Sequence, residues 1–209
     1  MNTLLNLLAA AALGLLTACS ILPASEPVQV YLLPSQNPPA SQSSAVDWSL
    51  RLNTPQASQA LGTTRIAVLP QDNQFSTYAG SRWSDPAPSL LRNHLLNAFQ
   101  SDGRVRALST DDDNLQADLQ LGGELQAFQS EYRDGKVKVV IRLQARLADS
   151  SQRILATRRF EVVQPAAGTT VPEVVSAFGE ASDQLAQQVL QWVLAQGEAQ
   201  PILQGGKRR

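Results

Sequence analysis

The sequence has few of the side chains that build catalytic or metal centres: one cysteine and one histidine in 209 residues. A lone cysteine excludes a disulfide within the chain. A lone histidine leaves no set of three or four ligands at zinc spacing and almost no base for a nucleophilic triad. Excess charge is missing too. Seventeen Lys and Arg against eighteen Asp and Glu leave a net charge of −1, no electrostatic reason to expect nucleic acid or anionic lipid headgroups as partners. Long apolar runs are also absent. The longest, Leu4–Leu16, contains Asn6 and as a helix covers roughly 20 Å, short of a hydrocarbon core of about 30 Å.

What that run precedes is informative. Residues 1–18 carry no charged side chain, and the sequence Leu16-Thr17-Ala18-Cys19 follows directly. With small residues beside a cleavage point and a thiol just beyond it, it resembles the lipobox of bacterial lipoproteins, in which the thiol is the nucleophile that takes a diacylglyceryl group as a thioether. The expectation is a lipoprotein signal peptide over 1–18, cut before Cys19, with Cys19 lipidated. The alternative is an ordinary signal peptide beside an incidental cysteine. One acyl chain binds a bilayer with an association constant of roughly 10⁴ M⁻¹, whereas several chains hold stably. Ser20 stands where Asp would retain the protein in an inner membrane. That points to the outer membrane, facing the periplasm.

Residues 19–27 then read as lipidated cysteine and tether, 28–195 as one domain, and 196–209, with basic Lys207, Arg208 and Arg209, as a flexible tail. Val28–Leu33 reads as a strand ended by Pro34, Trp48–Leu52 as a short second one, and Arg65–Pro70 as a stronger third. Gln71–Asp85 reads as a long loop. It holds Phe75, Tyr78, Arg82 and Trp83, dense in aromatics for a chain with 5% of them, and is the candidate partner contact. Aromatics tucked back onto a sheet edge are the alternative.

Asp85 as N-cap and Pro86 at the first helical position open a helix with apolar Leu90, Leu91, Leu95, Ala98 and Phe99, closed by Gly103. Arg104–Leu108 reads as a strand and Ser109–Asn114 as a polar loop. From Ala117 to Val162 apolar and polar residues alternate through a three-strand meander, turning at Asp134-Gly135 and around Ser150-Ser151. A two-residue turn at Asp134-Gly135 pairs Phe128 with Ile141, but would set Leu125 opposite Gln144. One extra residue in the first strand restores Leu125 to Leu143, so the pattern predicts a β-bulge at about Gln126–Phe128. Pro172–Ala195 carries one continuous apolar stripe and reads as a helix lying across the sheet; a partner-binding or membrane-surface helix is the alternative, and a polar face without Lys or Arg disfavours the membrane.

Catalysis has little to stand on. His94 falls on the apolar side of its helix, where a buried, hydrogen-bonded structural role fits. Asp111-Asp112-Asp113 lack the glycine and distal Glu of a calcium loop, and Gly122-Gly123 sit inside a strand rather than after one. No cofactor and no enzymatic activity are expected. The predicted fold class is α+β: a single domain with a mainly antiparallel sheet, a C-terminal three-strand meander and two helices packed on it.

In their order, these segments resemble the ABC-type transport auxiliary lipoproteins, the group that includes paraquat-inducible protein C. The resemblance rests on Cys19 after the signal, Tyr31-Leu32-Leu33-Pro34, Arg65–Pro70, and Arg82-Trp83-Ser84-Asp85-Pro86 before the first helix. It continues with the Asp134-Gly135 hairpin, Arg158-Arg159-Phe160 and the late Trp192, so that it covers about residues 28–195. It implies a non-enzymatic component of a lipid-transport system. Its partners would be an MCE-domain (mammalian-cell-entry) protein and an inner-membrane ABC transporter, with the outer membrane held through the lipid anchor; a homo-oligomer is compatible. Only the lipidated cysteine carries over as a site residue. A structural or regulatory envelope lipoprotein, such as an activator of cell-wall synthesis, remains an alternative, as does a hydrolase.

Overall fold

The computed structural model describes residues 27–36, 40–71, 73–113 and 115–200. Cys19 and residues 1–18, and the tail beyond 200, lie outside them. Among the described residues nine strands form one sheet: β1 (Gln29–Tyr31), β2 (Leu50–Leu52), β3 (Gln56–Ala57), β4 (Arg65–Gln71), β5 (Gln74–Trp83), β6 (Leu108–Thr110), β7 (Leu119–Arg133), β8 (Lys136–Asp149) and β9 (Ile154–Pro165). Two helices, α1 (Ala87–Asp102) and α2 (Val171–Glu198), complete the α+β domain.

The meander is its backbone. β7 pairs antiparallel with β8, and β8 with β9. Asp134 and Gly135 both have positive φ, 52° and 72°, as a type I′ turn requires. Leu125 pairs with Leu143 and Ala127 with Arg142, so Gln126 is the extra residue of the expected bulge. It keeps Leu119, Leu121 and Leu125 on the same face as Phe128 and Ser130. The other edge of β7 receives β2, β3 and β4, all parallel to it, and β1 runs parallel to β5. The long pairings are thus antiparallel and the short ones parallel, making the sheet mixed.

Both helices pack on one face. Phe178 of α2 stacks on Phe128 with ring centroids 4.9 Å apart and meets Trp83 edge-on at 5.2 Å; Phe160 and Trp192 meet at 5.6 Å. Burying each large side chain contributes about 1.5–3 kcal/mol, and each aromatic pair about 0.5–1.5 more. At one end of α2, the Glu173 carboxylate accepts from the Thr170 N–H at 3.0 Å and hydroxyl at 2.7 Å, which fixes the helix start.

Several expectations need correction. Gln71–Asp85 is not a loop: β5 fills most of it, paired antiparallel with β4 from Gln71–Gln74 to Arg65–Arg82. Its alternation was hidden because Ala67 pairs with Thr77 but Arg65 with Arg82, an irregularity that contains Gly80 at φ 63°. Asp85 is not the N-cap of α1. The first helical bond runs from the Leu90 N–H to the Pro86 carbonyl, so Pro86 holds that position and Pro88 lies in the first turn. Gly103 does end the helix, at φ 77°. The strand read at Arg104–Leu108 lies later, at β6, where Ser109 and Thr110 pair with Arg51 and Leu52 of β2. Their polar side chains concealed it: the Asp113 carboxylate accepts from both the N–H and the hydroxyl of Thr110. α2 outlasts Ala195 by three residues, because Gly197 allows the helix to approach the Trp48 ring.

Candidate functional site

The four residues read as a partner contact part company in the structure. Neighbours along β5 point to opposite faces. Trp83 is 1% exposed and forms part of the core against Phe178, so it is not a contact residue. Tyr78 is half-buried; its hydroxyl lies 2.9 Å from Ser130 Oγ and 3.3 Å from the Tyr132 hydroxyl, and burial raises its pKa above the ordinary phenol value. Phe75, 44% exposed near the turn, and Arg82 remain available on the surface. The β4–β5 hairpin therefore displays Phe75 and Arg82 while Tyr78 and Trp83 anchor it.

The helix-free face of the sheet is the larger feature. Register assigns it residue by residue. Leu143 and Phe160 face the helices, so Arg142 and Glu161 face away. Ile66 is fully buried, so Arg65 and its partner Arg82 face away, as does Val30, paired with Arg82. Away from the hairpin turns, β4, β5, β7, β8 and β9 place six basic residues there: Arg65, Arg82, Lys138, Arg142, Arg146 and Arg159. Three carboxylates, Glu124, Glu131 and Glu161, oppose them. Arg142 and Arg159 both bond Glu161, at 2.8 and 3.1 Å; with Arg142 the stronger influence, they lower its pKa to about 2. Lys138 meets Glu131 at 3.3 Å. No ion pair involves Arg65 or Arg82 among the described residues. On the other side, the longer helix has the opposite sign. α2 carries Glu173, Glu180, Asp183 and Glu198 with no Lys or Arg.

The titratable groups on the helix side are structural. His94 is 5% exposed, with Nε2 2.8 Å from Asp183 Oδ1. Burial lowers its pKa despite that carboxylate, so the neutral ring donates. Asp183 also accepts from the Gln36 N–H at 3.1 Å, and Pro34 crosses α2 at Gly179, where an added Cβ would come within 2.8 Å of it. This junction ties the segment after β1 to both helices. The triple aspartate is engaged too: Arg92 bonds Asp111 at 2.7 Å and Asp112 at 2.8 Å. Burial alone would raise the Asp111 pKa, but bonds from Thr54 and the Arg92 charge bring it below the ordinary value. Among the described residues no group of three or more His, Cys, Asp or Glu is placed to hold a metal ion, and no helix is long and apolar enough to cross a membrane. The concavity between β9 and the first turns of α2, about 550 Å³, presents Glu173, Glu180 and Ser176 among prolines and alanines. No histidine or lysine lines it to activate the serine.

A mixed sheet with two helices on one face and a charged opposite face defines an α+β sheet-and-helix domain. The chain belongs to the ABC-type transport auxiliary lipoprotein component family, whose profile matches residues 31–190. A crystallised protein from Xanthomonas campestris shares the fold at a TM-score of 0.76 and 27% identity, over 82% of this chain and 97% of that one. A second solved structure, titled only an uncharacterized protein, aligns at a TM-score of 0.63 and 19% identity over 80% and 99% of the two chains. An uncharacterized protein of Bradyrhizobium diazoefficiens is 27% identical over 146 residues; the match covers 70% of this chain and spans 39% of that protein's length.

Sequence reasoning missed the basic face and the exposed edge of β1. The signals were present: Lys138, Arg142 and Arg146 share one parity of β8, and Val28, Val30 and Leu32 share one parity of the first strand. Both become visible once each strand has an assigned inner face.

Proposed function

We propose that this protein is an outer-membrane lipoprotein, anchored through Cys19 and facing the periplasm, that serves as the non-enzymatic auxiliary component of an MCE-type intermembrane lipid-transport system. Family membership over residues 31–190 supports this reading most directly. The lipobox ending at Cys19 and the Ser after it supply the anchor and the choice of membrane. In this reading the domain is a fixed post. Its β4–β5 hairpin, with Phe75 exposed near the tip, receives the periplasmic end of the MCE assembly, and an ABC transporter in the inner membrane supplies the energy. Rigid pairing of the hairpin suits docking, because a preorganised contact loses little entropy on binding.

A photocrosslinking residue at Phe75 in whole cells, followed by mass spectrometry of the adduct, tests the partner. Recovery of an MCE-domain protein is the expected result. Recovery of a cell-wall synthase instead, or adducts equal to those from a site on the polar face of α2, overturns it. Cys19→Ser should leave the domain folded and release it from the membrane fraction.

A further inference from the structure

We propose that the helix-free face near β1 lies flat on a phospholipid bilayer containing anionic headgroups, with Val28, Val30 and Leu32 seated at the interface and Arg65 and Arg82 over the phosphates. This rests on the lipidated-Cys19 reading and adds an orientation to it. Four observations meet here. β1 is the edge of the sheet among the described residues, paired on one side only. In β1 and the residues flanking it, Val28, Val30 and Leu32 are 52%, 51% and 74% exposed, whereas Tyr31 and Leu33, of the opposite parity, pack on the core. Such an apolar edge is a liability unless something covers it. Next to the stripe, Arg82 and Arg65 continue the row from Val30 across β5 and β4, with no ion pair of their own among the described residues.

The fourth observation is reach. Eight residues separate Cys19 from Val28. A fully extended chain rises at most about 3.6 Å per residue, so the stripe cannot lie more than roughly 30 Å from the anchored sulfur. Apolar side chains flanked by cations are the composition that settles into a headgroup region, where the stripe enters the acyl boundary and guanidinium groups meet phosphate. Charge also sets the sense of the orientation. The helix side, where α2 carries carboxylates and no Lys or Arg, is repelled by the same surface and turns toward the periplasm.

The test uses the membrane-extracted, full mature protein reconstituted in vesicles of phosphatidylethanolamine and phosphatidylglycerol. Val30→Cys and, as a control on the exposed side of α2, Gln187→Cys are labelled with a water-soluble maleimide. Val30→Cys should react at least about tenfold more slowly than Gln187→Cys. Adding R65Q/R82Q, which changes only exposed side chains, should cut surface residence roughly 30-fold and so relieve that protection, as expected for losing two basic residues from an anionic surface. Equal labelling of the two cysteines overturns the proposal. So does protection that persists in detergent without a bilayer, which would indicate a second copy, or protection that appears only when other envelope proteins are present, which would indicate an acidic protein partner. The mass of the Cys19 peptide reports lipidation separately. If Cys19 is unmodified and the protein no longer floats with vesicles, the anchor reading fails; if Cys19 is acylated and Val30→Cys still labels freely, the orientation alone fails.

Discussion

Gly122 and Gly123 are adjacent in β7, yet the structure assigns them opposite responses to the same substitution. Gly123 has φ 142°, a conformation L side chains rarely adopt, and an added Cβ would overlap the Gln144 carbonyl oxygen across the ladder. That oxygen belongs to the backbone of β8, so relief requires moving the best-paired strand of the sheet. The backbone strain costs about 1–3 kcal/mol and the overpacking about 1–3 more. Gly123→Ala should therefore destabilise by roughly 4 kcal/mol. Against a typical total of about 5–15 kcal/mol this is a large fraction, and for a domain of this size it lowers Tm by about 8–16 °C. At Gly122 an added Cβ meets only the Asn53 side chain, at 3.6 Å, with no positive φ to strain. Gly122→Ala should be neutral or stabilise by up to about 1 kcal/mol, because alanine restricts the unfolded chain. Thermal melts followed by circular dichroism, with urea titration as a second measure, compare the two. Midpoints within about 2 °C of each other would refute the placement of Gly123.

Other expectations follow from the same geometry. Trp83→Ala removes a 1%-exposed ring from the core and should cost about 3–5 kcal/mol in urea unfolding, whereas Phe75→Ala should stay within about 0.5 kcal/mol; comparable losses would mean the hairpin faces are misassigned. His94 has a folded-state pKa below the ordinary 6.5, so under acid the unfolded chain takes up a proton that the folded one resists. Stability should fall as pH drops below about 6.5, and His94→Gln should flatten that slope in urea midpoints taken across the range. An unchanged slope in the variant would remove His94 as its source. Deleting Gln126 leaves Leu125 and Ala127 in register with Leu143 and Arg142, so the domain should still fold cooperatively; a molten, non-cooperative transition would show that the bulge is needed for more than parity.

The meander was legible in the sequence down to single residues because it obeys one rule. Parity assigns every side chain to a face, and only one register matches Leu125 with Leu143 and Phe128 with Ile141 at once. Glycine at the end of α1 was legible for a similar reason: only a left-handed residue closes the helix there. What escaped were elements whose parity is broken or whose partners are distant. β5 changes phase around Gly80, and its two anchors, Tyr78 and Trp83, gain their burial from Ser130 and Phe178, about fifty and ninety-five positions away. β6 is short, ends in Ser and Thr, and owes its existence to a parallel pairing with β2 that no local pattern announces. Phe75, Tyr78, Arg82 and Trp83 could not be sorted between faces, because a loop has no inner face and a strand does.

The same reasoning shows why a net charge of −1 misled about the surface. Net charge is a sum, blind to which side of the fold each charge takes. In strands the side is fixed by odd or even position, so Lys138, Arg142 and Arg146 accumulate on one face of β8 without changing the total. On α2 the inner stripe is apolar and its charges are all carboxylates; Glu180 and Glu198 lie exposed on the outer side, while Asp183 turns to His94. A near-neutral chain becomes a domain with a basic sheet face and an acidic helix face, and short-range contact with a charged surface depends on that partition rather than on the sum, since screening limits the interaction to about 8–10 Å. The argument from composition therefore concerns long-range steering and says nothing about short-range contact at one face.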